Sequence, residues 1–321
     1  MTEHISKKMS VSVVVPVYNE ASVIGQLIDR IRAAMASLSE YELEIILVDD
    51  GSSDESLSIM KRFASQDRSI KVVELMRNYG QTSALSAGVD YAEGDIVVTM
   101  DADLQHFPEE IPHFLAKIEE GYDIVCGWRK ERKENITRRL PSSTANYIIR
   151  KISGIDIHDF GTTFRAYRQE VMKKIELFGD MHRFIPALAS RWGYRIAELP
   201  IQNIKRPVGK SNYTIGRTYG VALDLLFLFF YLNYLTKPLR IFGLLAILLF
   251  VPGFMIAATL IVLTYAGFIP AVKDRIALLL FSILLMILGV SFLCYGLIAE
   301  MQNRIYFAVK RDKIYNVRKV W

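Results

Sequence analysis

The sequence is poor in cysteine and lacks the glycine-rich loops with which many nucleotide-binding proteins hold phosphates. Its two cysteines, Cys126 and Cys294, lie far apart in 321 residues, so we expect no structural disulfide, as in a reducing compartment. Neither the Rossmann nor the P-loop glycine pattern is present, and we find no internal repeat or low-complexity segment. A nucleotide bound by this chain would therefore need another counter-charge for its phosphates.

Two long segments near the carboxyl end lack charged residues and histidine. They comprise residues 241–272 and 276–299, in a chain that is 51% hydrophobic with a mean hydropathy of +0.22. A helix needs about 20 apolar residues to cross the hydrocarbon core of a bilayer, and each segment is long enough. We therefore predict two transmembrane helices within residues 238–300, joined by a short turn, in preference to buried core helices.

Charge is distributed unequally along the chain. Residues 1–214 carry 28 Lys and Arg against 30 Asp and Glu, whereas residues 215–321 carry 11 against 4. Basic residues beside membrane spans mark the cytoplasmic side, and anionic lipid head groups favour them there. Residues 1–10 are polar and predict no signal peptide. We expect both termini, including a basic tail over 301–321, to be cytoplasmic, and no nucleic-acid partner.

The first 100 residues alternate strand-like and helix-like patterns. Unbroken Val and Ile runs predict strands over residues 11–17, 44–48, 70–75 and 95–100. Helical periodicity predicts helices over residues 21–38, 57–64 and 81–92. Because unbroken apolar runs are typical of parallel strands covered on both faces, we predict a doubly wound, mostly parallel α/β sheet. Later segments predict a helix over 142–152 and strands over 158–167 and 194–204.

An apolar, aromatic segment over residues 221–236 precedes the two spans. It carries one charge, Asp224, and Arg217 and Lys237 flank it. Helices of this composition lie along the membrane interface, so we assign residues 215–237 to an interfacial amphipathic helix. A helix buried within the soluble domain, residues 1–214, is the alternative.

Two carboxylates one residue apart, Asp101 and Asp103, follow the fourth predicted strand. On a strand, side chains at i and i+2 lie on the same side, and open α/β sheets bind ligands beyond the carboxyl ends of their strands. Magnesium prefers one or two carboxylates together with phosphate oxygens. The context therefore predicts a divalent metal site, although an isolated Asp-x-Asp is more often a solvated turn.

Neighbouring segments supply further groups that suit a nucleotide. Asp49 and Asp50 end the second strand and Tyr18 and Glu20 follow the first, so all four reach the same sheet edge. Asp50 can accept hydrogen bonds from a base, and Glu20 from a ribose hydroxyl. Residues 128–139 contain eight charged residues in twelve, mostly basic. Beside a metal site in a membrane-bound chain this stretch suits contact with an anion, with a solvated loop as the alternative.

Five motifs follow one another along the chain. They are Val15-Pro16-Val17-Tyr18-Asn19-Glu20, Val48-Asp49-Asp50-Gly51-Ser52-Ser53-Asp54, Met100-Asp101-Ala102-Asp103-Leu104-Gln105, Asp159-Phe160-Gly161-Thr162-Thr163-Phe164-Arg165, and Lys205-Arg206 through Gly209-Lys210-Ser211. In this order they closely resemble the family-two glycosyltransferases with the GT-A fold. Within that family the chain is similar to polyprenyl-phosphate sugar transferases such as the bactoprenol glucosyltransferases and dolichol-phosphate mannose synthases. The resemblance covers nearly all of residues 10–240, and a membrane hairpin is typical of bacterial members.

The resemblance implies roles for individual residues. The nucleotide sugar would be bound by Pro16, Tyr18, Glu20, Asp50 and Asp101. Magnesium or manganese would be held by Asp103, with Asp101 and Gln105 helping. The acceptor phosphate would be bound by Arg129, Arg139 and Ser143, with Arg138 as a neighbour and a helix cap as the alternative for Ser143. Lys210 would contact the donor's diphosphate.

The resemblance also implies a reaction. The metal and Lys210 would stabilise the departing nucleoside diphosphate. A lipid phosphate has a second pKa of about 6, so it is anionic near neutral pH and needs little help from a general base. Arg129 and Arg139 would position it for in-line attack at the anomeric carbon, with inversion. Asp159 is either a base or a residue that holds an arginine, and we favour the second role.

The expected product is a polyprenyl-phosphate monosaccharide, made from UDP-glucose and undecaprenyl phosphate at the cytoplasmic face of a bacterial inner membrane. Relatives that use GDP-mannose, UDP-GlcNAc or UDP-aminoarabinose share the motifs. A processive polysaccharide synthase is less favoured because Leu188 stands where the Gln-x-x-Arg-Trp motif needs glutamine before Arg191-Trp192. A non-catalytic scaffold is disfavoured by the intact carboxylates. The basic tail and aromatic helix also suit contacts in a homo-oligomer.

Overall fold

The computed structural model describes residues 8–130, 136–175, 181–204, 216–235, 237–267 and 275–310. The chain forms two compact units, Met1–Leu226 and Phe227–Trp321. The boundary between them differs from the boundaries predicted at residues 214 and 237, which stay predictions.

The first unit contains a sheet flanked by helices. Its strands are β1 (Met9–Val17), β2 (Tyr41–Asp49), β3 (Ile70–Glu74), β4 (Ile96–Thr99), β5 (Ile124–Trp128), β6 (Arg165–Arg168) and β7 (Ile196–Pro200). Its helices are α1 (Ile24–Met35), α2 (Ser56–Gln66), α3 (Gln81–Asp90), α4 (Ile111–Glu119), α5 (Ile136–Ser153), α6 (Gln169–Lys174) and α7 (Ile185–Ser190). Short 3₁₀ turns span Pro108–Glu110 and Met181–Phe184.

The sheet order is β3-β2-β1-β4-β6-β5-β7. β6 is antiparallel to β4 and β5, and the other neighbouring pairs are parallel. This confirms the predicted doubly wound, mostly parallel class. The strand order reverses between β1 and β4, and the crevice outside the carboxyl ends of the strands at such a switch point is where open α/β sheets bind ligands. The loops after β1 and β4 border that crevice.

Apolar periodicity places α1 on the sheet. Its side chains Ile24, Leu27, Ile28 and Ile31 are fully buried, as the sequence predicts, and they join the strand residues of β1 and β2 in one core. Burial of each such side chain contributes about 1.5–3 kcal/mol. The continuous Val and Ile runs of β1 and β2 are buried because helices cover both faces of the sheet.

Two predicted strands are shorter than their apolar patterns. Of residues 158–167, only the end forms β6, because the preceding side chains bond to nearby backbone instead of leaving it to a ladder. Asp159 accepts a hydrogen bond from the Gly161 N–H at 3.0 Å, and Thr162 accepts one from the Phe164 N–H at 3.2 Å. Of residues 194–204, only β7 is extended. The helix predicted over 142–152 begins earlier, as α5.

The second unit contains two long apolar helices, α9 (Leu239–Tyr265) and α10 (Ile276–Lys310). Both are long and apolar enough to cross a membrane, which confirms the predicted apolar hairpin. They pack antiparallel and closely, because glycines leave room for the opposite helix. A Cβ atom on Gly253 would lie 2.7 Å from the Ser282 carbonyl oxygen, and one on Gly289 would lie 2.9 Å from the Ala246 carbonyl oxygen.

The segment predicted as interfacial forms α8 (Gly216–Tyr234), which continues across the boundary of the two units. Leu223, Leu226, Phe227 and Phe229 are exposed, whereas Leu228 is buried. Exposed apolar side chains along one helix argue against the alternative of a helix buried in the soluble domain. Its placement at a membrane interface stays a prediction.

Candidate active site

A turn directly after β4 presents the two carboxylates. Asp101, Asp103 and Gln105 are partly exposed, and they alternate with the buried Ala102, Leu104 and His106. The predicted shared face is therefore present, but its predicted cause is wrong because β4 already ends at Thr99. Leu104 has a φ of 56°, a left-handed conformation that turns the chain while its side chain stays in the core.

Hydrogen bonds fix the two carboxylates of this turn. Asp101 accepts a bond from Nε2 of Gln81, the first residue of α3, at 2.6 Å, and Asp103 accepts one from the Gln105 N–H at 3.2 Å. No group of three or more His, Cys, Asp or Glu side chains stands ready for a metal among the residues that the structure describes. Two carboxylates and an amide fit an ion that takes its other ligands from phosphate oxygens and water, as magnesium does.

The loops after β1 and β2 are bound to each other at the same edge. Oδ1 of Asn19 accepts a bond from the Ser53 N–H at 2.8 Å, and the backbone N–H of Asn19 donates to Ser52 Oγ at 3.0 Å. The Glu20 N–H donates to Ser56 Oγ at 2.8 Å. Tyr18 is 48% exposed beside these bonds. The predicted donor residues Tyr18 and Glu20 therefore lie on a loop that the Asp49–Asp54 motif holds in place.

Asp50 is buried and bonded to backbone. Its two carboxylate oxygens accept bonds from the N–H groups of Tyr79 at 2.7 Å and Gly80 at 3.0 Å, and it is 4% exposed. Gly51, at a φ of +70°, lets the loop approach closely, since a Cβ there would lie 2.6 Å from the Asn78 backbone nitrogen. Asp50 thus fixes the segment before α3, and its predicted contact with a base stays a prediction.

Arg129 and Asp159 form a buried ion pair at the end of β5. Arg129 Nε donates to Asp159 Oδ2 at 2.8 Å, Nη2 donates to Oδ1 at 3.0 Å, and the Arg129 N–H reaches Oδ2 at 3.3 Å. The side chains are 13% and 1% exposed. A two-bond pair of this kind fixes the plane of the guanidinium. The geometry agrees with the orienting role that we favour for Asp159 over that of a base.

The carboxylate of Asp103 in the turn after β4 and the Arg129–Asp159 ion pair both influence the pKa of the His106 imidazole. Burial lowers the pKa of His106 to about 4, the positive charge of Arg129 acts in the same direction, and the carboxylates of Asp103 and Asp159 oppose it. His106 also stacks on Phe164, with ring centroids 5.8 Å apart. Thr99 of β4 and Cys126 of β5 pair with the same residue of β6, Arg165, so the turn after β4 and Arg129 lie at the same edge of the sheet.

Two predicted site residues, Arg139 and Lys210, are described in part or not at all, whereas Ser143 and Pro16 are described. Arg139 belongs to the first turn of α5, but its side chain lies outside the described residues. Ser143 is exposed within α5, seven residues after the helix begins, so the alternative that it caps the helix start is wrong. Pro16 pairs with Val48 in the sheet. Lys210 lies outside the described residues, as do the motif residues Lys205 and Arg206.

Sequence reasoning missed several polar contacts of this domain, of which one reaches a predicted site residue. Gln81 bonds to Asp101. His182, 5% exposed, lies 2.6 Å from Thr82 Oγ1 through Nδ1, and Arg165, 1% exposed, donates to the His182 carbonyl oxygen at 3.0 Å. Only Arg165 lay inside a recognised motif. The Gln81–Asp101 contact joins residues 20 positions apart, and the Thr82–His182 contact joins residues 100 positions apart. No local sequence pattern therefore indicates them.

Comparisons with known proteins identify the family and relatives of this chain. Residues 12–176 match the family model described as Glycosyl transferase family 2. A dodecaprenyl-phosphate galacturonate synthase from Rhizobium johnstonii is 36% identical, with 98% of this chain and 94% of the relative covered. An undecaprenyl-phosphate 4-deoxy-4-formamido-L-arabinose transferase from Proteus mirabilis is 38% identical, with 97% and 93% covered.

One group of solved structures shares the fold. The glucosyl-3-phosphoglycerate synthase from Mycobacterium tuberculosis, crystallised with Mn²⁺ and UDP-glucose, superposes with a TM-score of 0.54 at 20% identity. The likeness covers 70% of this chain and 79% of that chain. It supports the α/β architecture of the first unit.

Proposed function

The chain belongs to glycosyl transferase family 2, and from that premise we propose that it transfers one sugar from a nucleotide sugar to the phosphate of a polyprenyl phosphate. Three points support this. Relatives named for that acceptor class match over nearly the whole chain, and two apolar helices are long enough to anchor it beside a lipid acceptor. The carboxylate turn after β4 and the Arg129–Asp159 ion pair lie at the same edge of the sheet. The single observation that carries the proposal is that Thr99 of β4 and Cys126 of β5 both pair with Arg165 of β6, so the carboxylate turn and Arg129 follow strands that end at the same edge of the sheet.

On the donor side, the turn after β4 suits a divalent ion. Asp101, Asp103 and Gln105 would hold Mg²⁺ or Mn²⁺, and the mycobacterial synthase of the same fold was crystallised with either ion. When bound, the ion would stabilise the negative charge of the departing nucleoside diphosphate. Gln81 orients Asp101 for this task through its 2.6 Å bond. Tyr18 and Glu20 would take the nucleoside, and Lys210 would add positive charge at the diphosphate.

On the acceptor side, arginines would hold the lipid phosphate. Arg129, fixed by Asp159, presents a guanidinium of set orientation, which suits phosphate recognition. Arg139 and Ser143 would contact the same phosphate, and their spacing of four positions along α5 places them on one side of that helix. Because the phosphate is anionic near neutral pH, it needs orientation more than deprotonation. In-line attack from this position would invert the anomeric configuration.

The membrane helices would bring this site to its acceptor. We place the protein in the bacterial inner membrane, with the catalytic domain and both termini cytoplasmic and α8 along the interface. The basic surplus of residues 215–321 supports this orientation, because anionic head groups attract such residues on the cytoplasmic side. Contacts between copies of the chain in a homo-oligomer are part of the proposal.

Two classes of donor follow from different observations. The resemblance to the bactoprenol glucosyltransferases favours UDP-glucose with undecaprenyl phosphate. The names of the curated relatives favour a donor carrying galacturonate or 4-deoxy-4-formamido-L-arabinose, and this is the second candidate. GDP-mannose and UDP-GlcNAc are the two further donors to be compared in the transfer assay.

A transfer assay tests the proposal. Purified full-length protein in detergent would receive each radiolabelled donor in turn, with undecaprenyl phosphate and Mg²⁺. Label in a monosaccharide lipid that mild acid cleaves is the expected result, and the donor with the highest kcat/KM identifies the sugar. A long, water-insoluble polymer would instead indicate a processive synthase. Absence of turnover with every donor would contradict the proposal and favour a non-catalytic scaffold.

A further inference from the structure

Glu198, on the outer strand β7, holds the corner of chain that carries Asp159. It pairs in register with Cys126 of β5, and its side chain is 10% exposed. Oε1 accepts hydrogen bonds from the N–H groups of His158 at 2.9 Å and Asp159 at 3.0 Å. Oε2 lies 2.8 Å from His158 Nδ1. One carboxylate thus binds three nitrogen atoms of two consecutive residues.

The same corner also contacts the end of β5. The His158 ring stacks on the Trp128 ring, with centroids 4.4 Å apart and planes 21° apart. Asp159 accepts bonds through both carboxylate oxygens from Arg129, the residue that follows Trp128. Residues 158 and 159 are therefore held between Glu198 on one side and residues 128 and 129 on the other.

We propose that Glu198 is a positioning residue for the acceptor phosphate, acting through His158 and Asp159 on the guanidinium of Arg129. The inference rests on the proposed function, because it takes Arg129 to bind the phosphate of the lipid. Without the Glu198 carboxylate, the N–H groups of His158 and Asp159 lose their acceptor, and the Asp159 carboxylate is no longer fixed at the end of β5. Arg129 then keeps its charge but loses its set orientation.

A purely structural role for Glu198 predicts a different kinetic result. General loosening of the β5–β7 edge lowers the fraction of active protein, so kcat and thermal stability fall while both KM values stay constant. Loss of positioning at Arg129 raises the KM for polyprenyl phosphate and leaves the KM for the nucleotide sugar unchanged, because the donor residues lie after β1, β2 and β4. The ratio of the two KM values therefore separates the roles.

The test uses full-length protein in detergent, undecaprenyl phosphate, Mg²⁺ and the labelled donor with the highest wild-type activity. For Glu198→Ala we expect the acceptor KM to rise about tenfold, the size expected when backbone N–H donors lose a charged acceptor. The donor KM should stay within about twofold, since no donor group moves. Glu198→Gln should restore the acceptor KM to within about threefold of wild type, because its amide oxygen can accept the same two N–H bonds.

Asp123→Asn is the matched control. Asp123 accepts a bond from the Arg195 N–H at 2.6 Å, so it joins the start of β5 to the start of β7, at the end far from Arg129. We expect it to lower the melting temperature without changing the acceptor KM. If Glu198→Ala does not accumulate as folded protein, Glu198→Asp replaces it, because the shorter side chain cannot reach all three nitrogen atoms and should raise the acceptor KM in the same way.

Several outcomes would overturn the inference. An unchanged acceptor KM in a folded Glu198→Ala or Glu198→Asp protein would do so, and so would equal increases in both KM values. An acceptor KM that rises as much in Asp123→Asn would show a general effect of the strand edge. A wild-type protein inactive with every donor would contradict the proposed function instead, so the two failures are distinct.

Discussion

Arg129, which we propose binds the acceptor phosphate, has its guanidinium already paired with Asp159. Removal of one partner from a buried ion pair leaves an uncompensated charge, which costs far more than an exposed pair is worth. The pair is therefore suited to hold a fixed cation beside an anionic substrate. Both oxygens of Asp159 accept bonds from Arg129, which supports the proposed orienting role of Asp159 over that of a base.

Replacement of Arg139 tests the acceptor side at the scale of one residue. Arg139→Ala should raise the KM for undecaprenyl phosphate by about tenfold or more, because a charge-assisted bond to phosphate contributes about 1.5–3 kcal/mol. The KM for the donor should change by less than about twofold, as determined from initial rates with each substrate varied.

Lys151→Ala is the control for that variant, since Lys151 is an exposed cation in the last turn of the same helix. It should leave both KM values unchanged. A variant at position 139 with weakened donor binding and intact acceptor kinetics would move Arg139 to the nucleotide side.

For single residues, the sequence predicts which site residues come together more successfully than it predicts the hydrogen bonds that hold them in place. Asp101, Asp103 and Gln105 are partly exposed and alternate with buried residues. Their spacing of two positions predicts this alternation, although a turn and not a strand produces it. The sequence does not indicate the bond that Gln81 donates to Asp101 or the bond that the His158 N–H donates to Glu198. They join segments that only the order of the strands brings together.

Among the elements, the hairpin of α9 and α10 has glycine at its closest contacts. A Cβ on Gly289 would lie 2.8 Å from Phe250 Cβ and 2.9 Å from the Ala246 carbonyl oxygen. Small residues let membrane helices approach closely enough for van der Waals contact along their length. The hairpin therefore depends on the absence of a side chain at this position.

Gly289→Leu should separate the two helices locally and destabilise the protein by about 1–3 kcal/mol, the usual cost of overpacking. Thermal unfolding of the full-length protein in detergent would show this as a lower melting temperature. Gly243→Leu is the matched control, because a Cβ at Gly243 has nothing within 4 Å. Equal effects of the two substitutions would contradict close packing at Gly289.

The elements themselves differ in how well the sequence predicts them. Strands β1 to β4 and helices α1 to α3 follow from unbroken apolar runs and helical periodicity. Strand β6 does not follow from such patterns, because it has only four residues and is antiparallel. The side chains just before it also bond to nearby backbone. Helix α4 is missed for a different reason: Pro108 and Pro112 suggest a loop, yet both stand in helix-starting positions, where proline is tolerated.

For the whole molecule, the orientation in the membrane can be tested without any substrate. A green fluorescent protein fused after Trp321 should fluoresce in a bacterial host, because the basic tail is expected to stay in the cytoplasm. Alkaline phosphatase fused at the same point should be inactive, whereas alkaline phosphatase inserted after residue 273 should be active outside the inner membrane. The opposite pattern would overturn the cytoplasmic placement of both termini.

The central claim for the whole molecule is that the turn after β4 holds the metal-bound donor of a sugar transfer to a lipid phosphate. The most direct measurement is the initial rate of label transfer to undecaprenyl phosphate by Asp103→Asn, compared with wild type and Asp95→Asn. Asp95 stands at the opposite end of β4, where it binds the Ser10 N–H at 3.0 Å, so its loss should leave the rate nearly unchanged. We predict at least a 100-fold lower rate for Asp103→Asn, the order expected when stabilisation of developing charge is lost. A rate within about threefold of wild type, in a folded variant, would contradict the account.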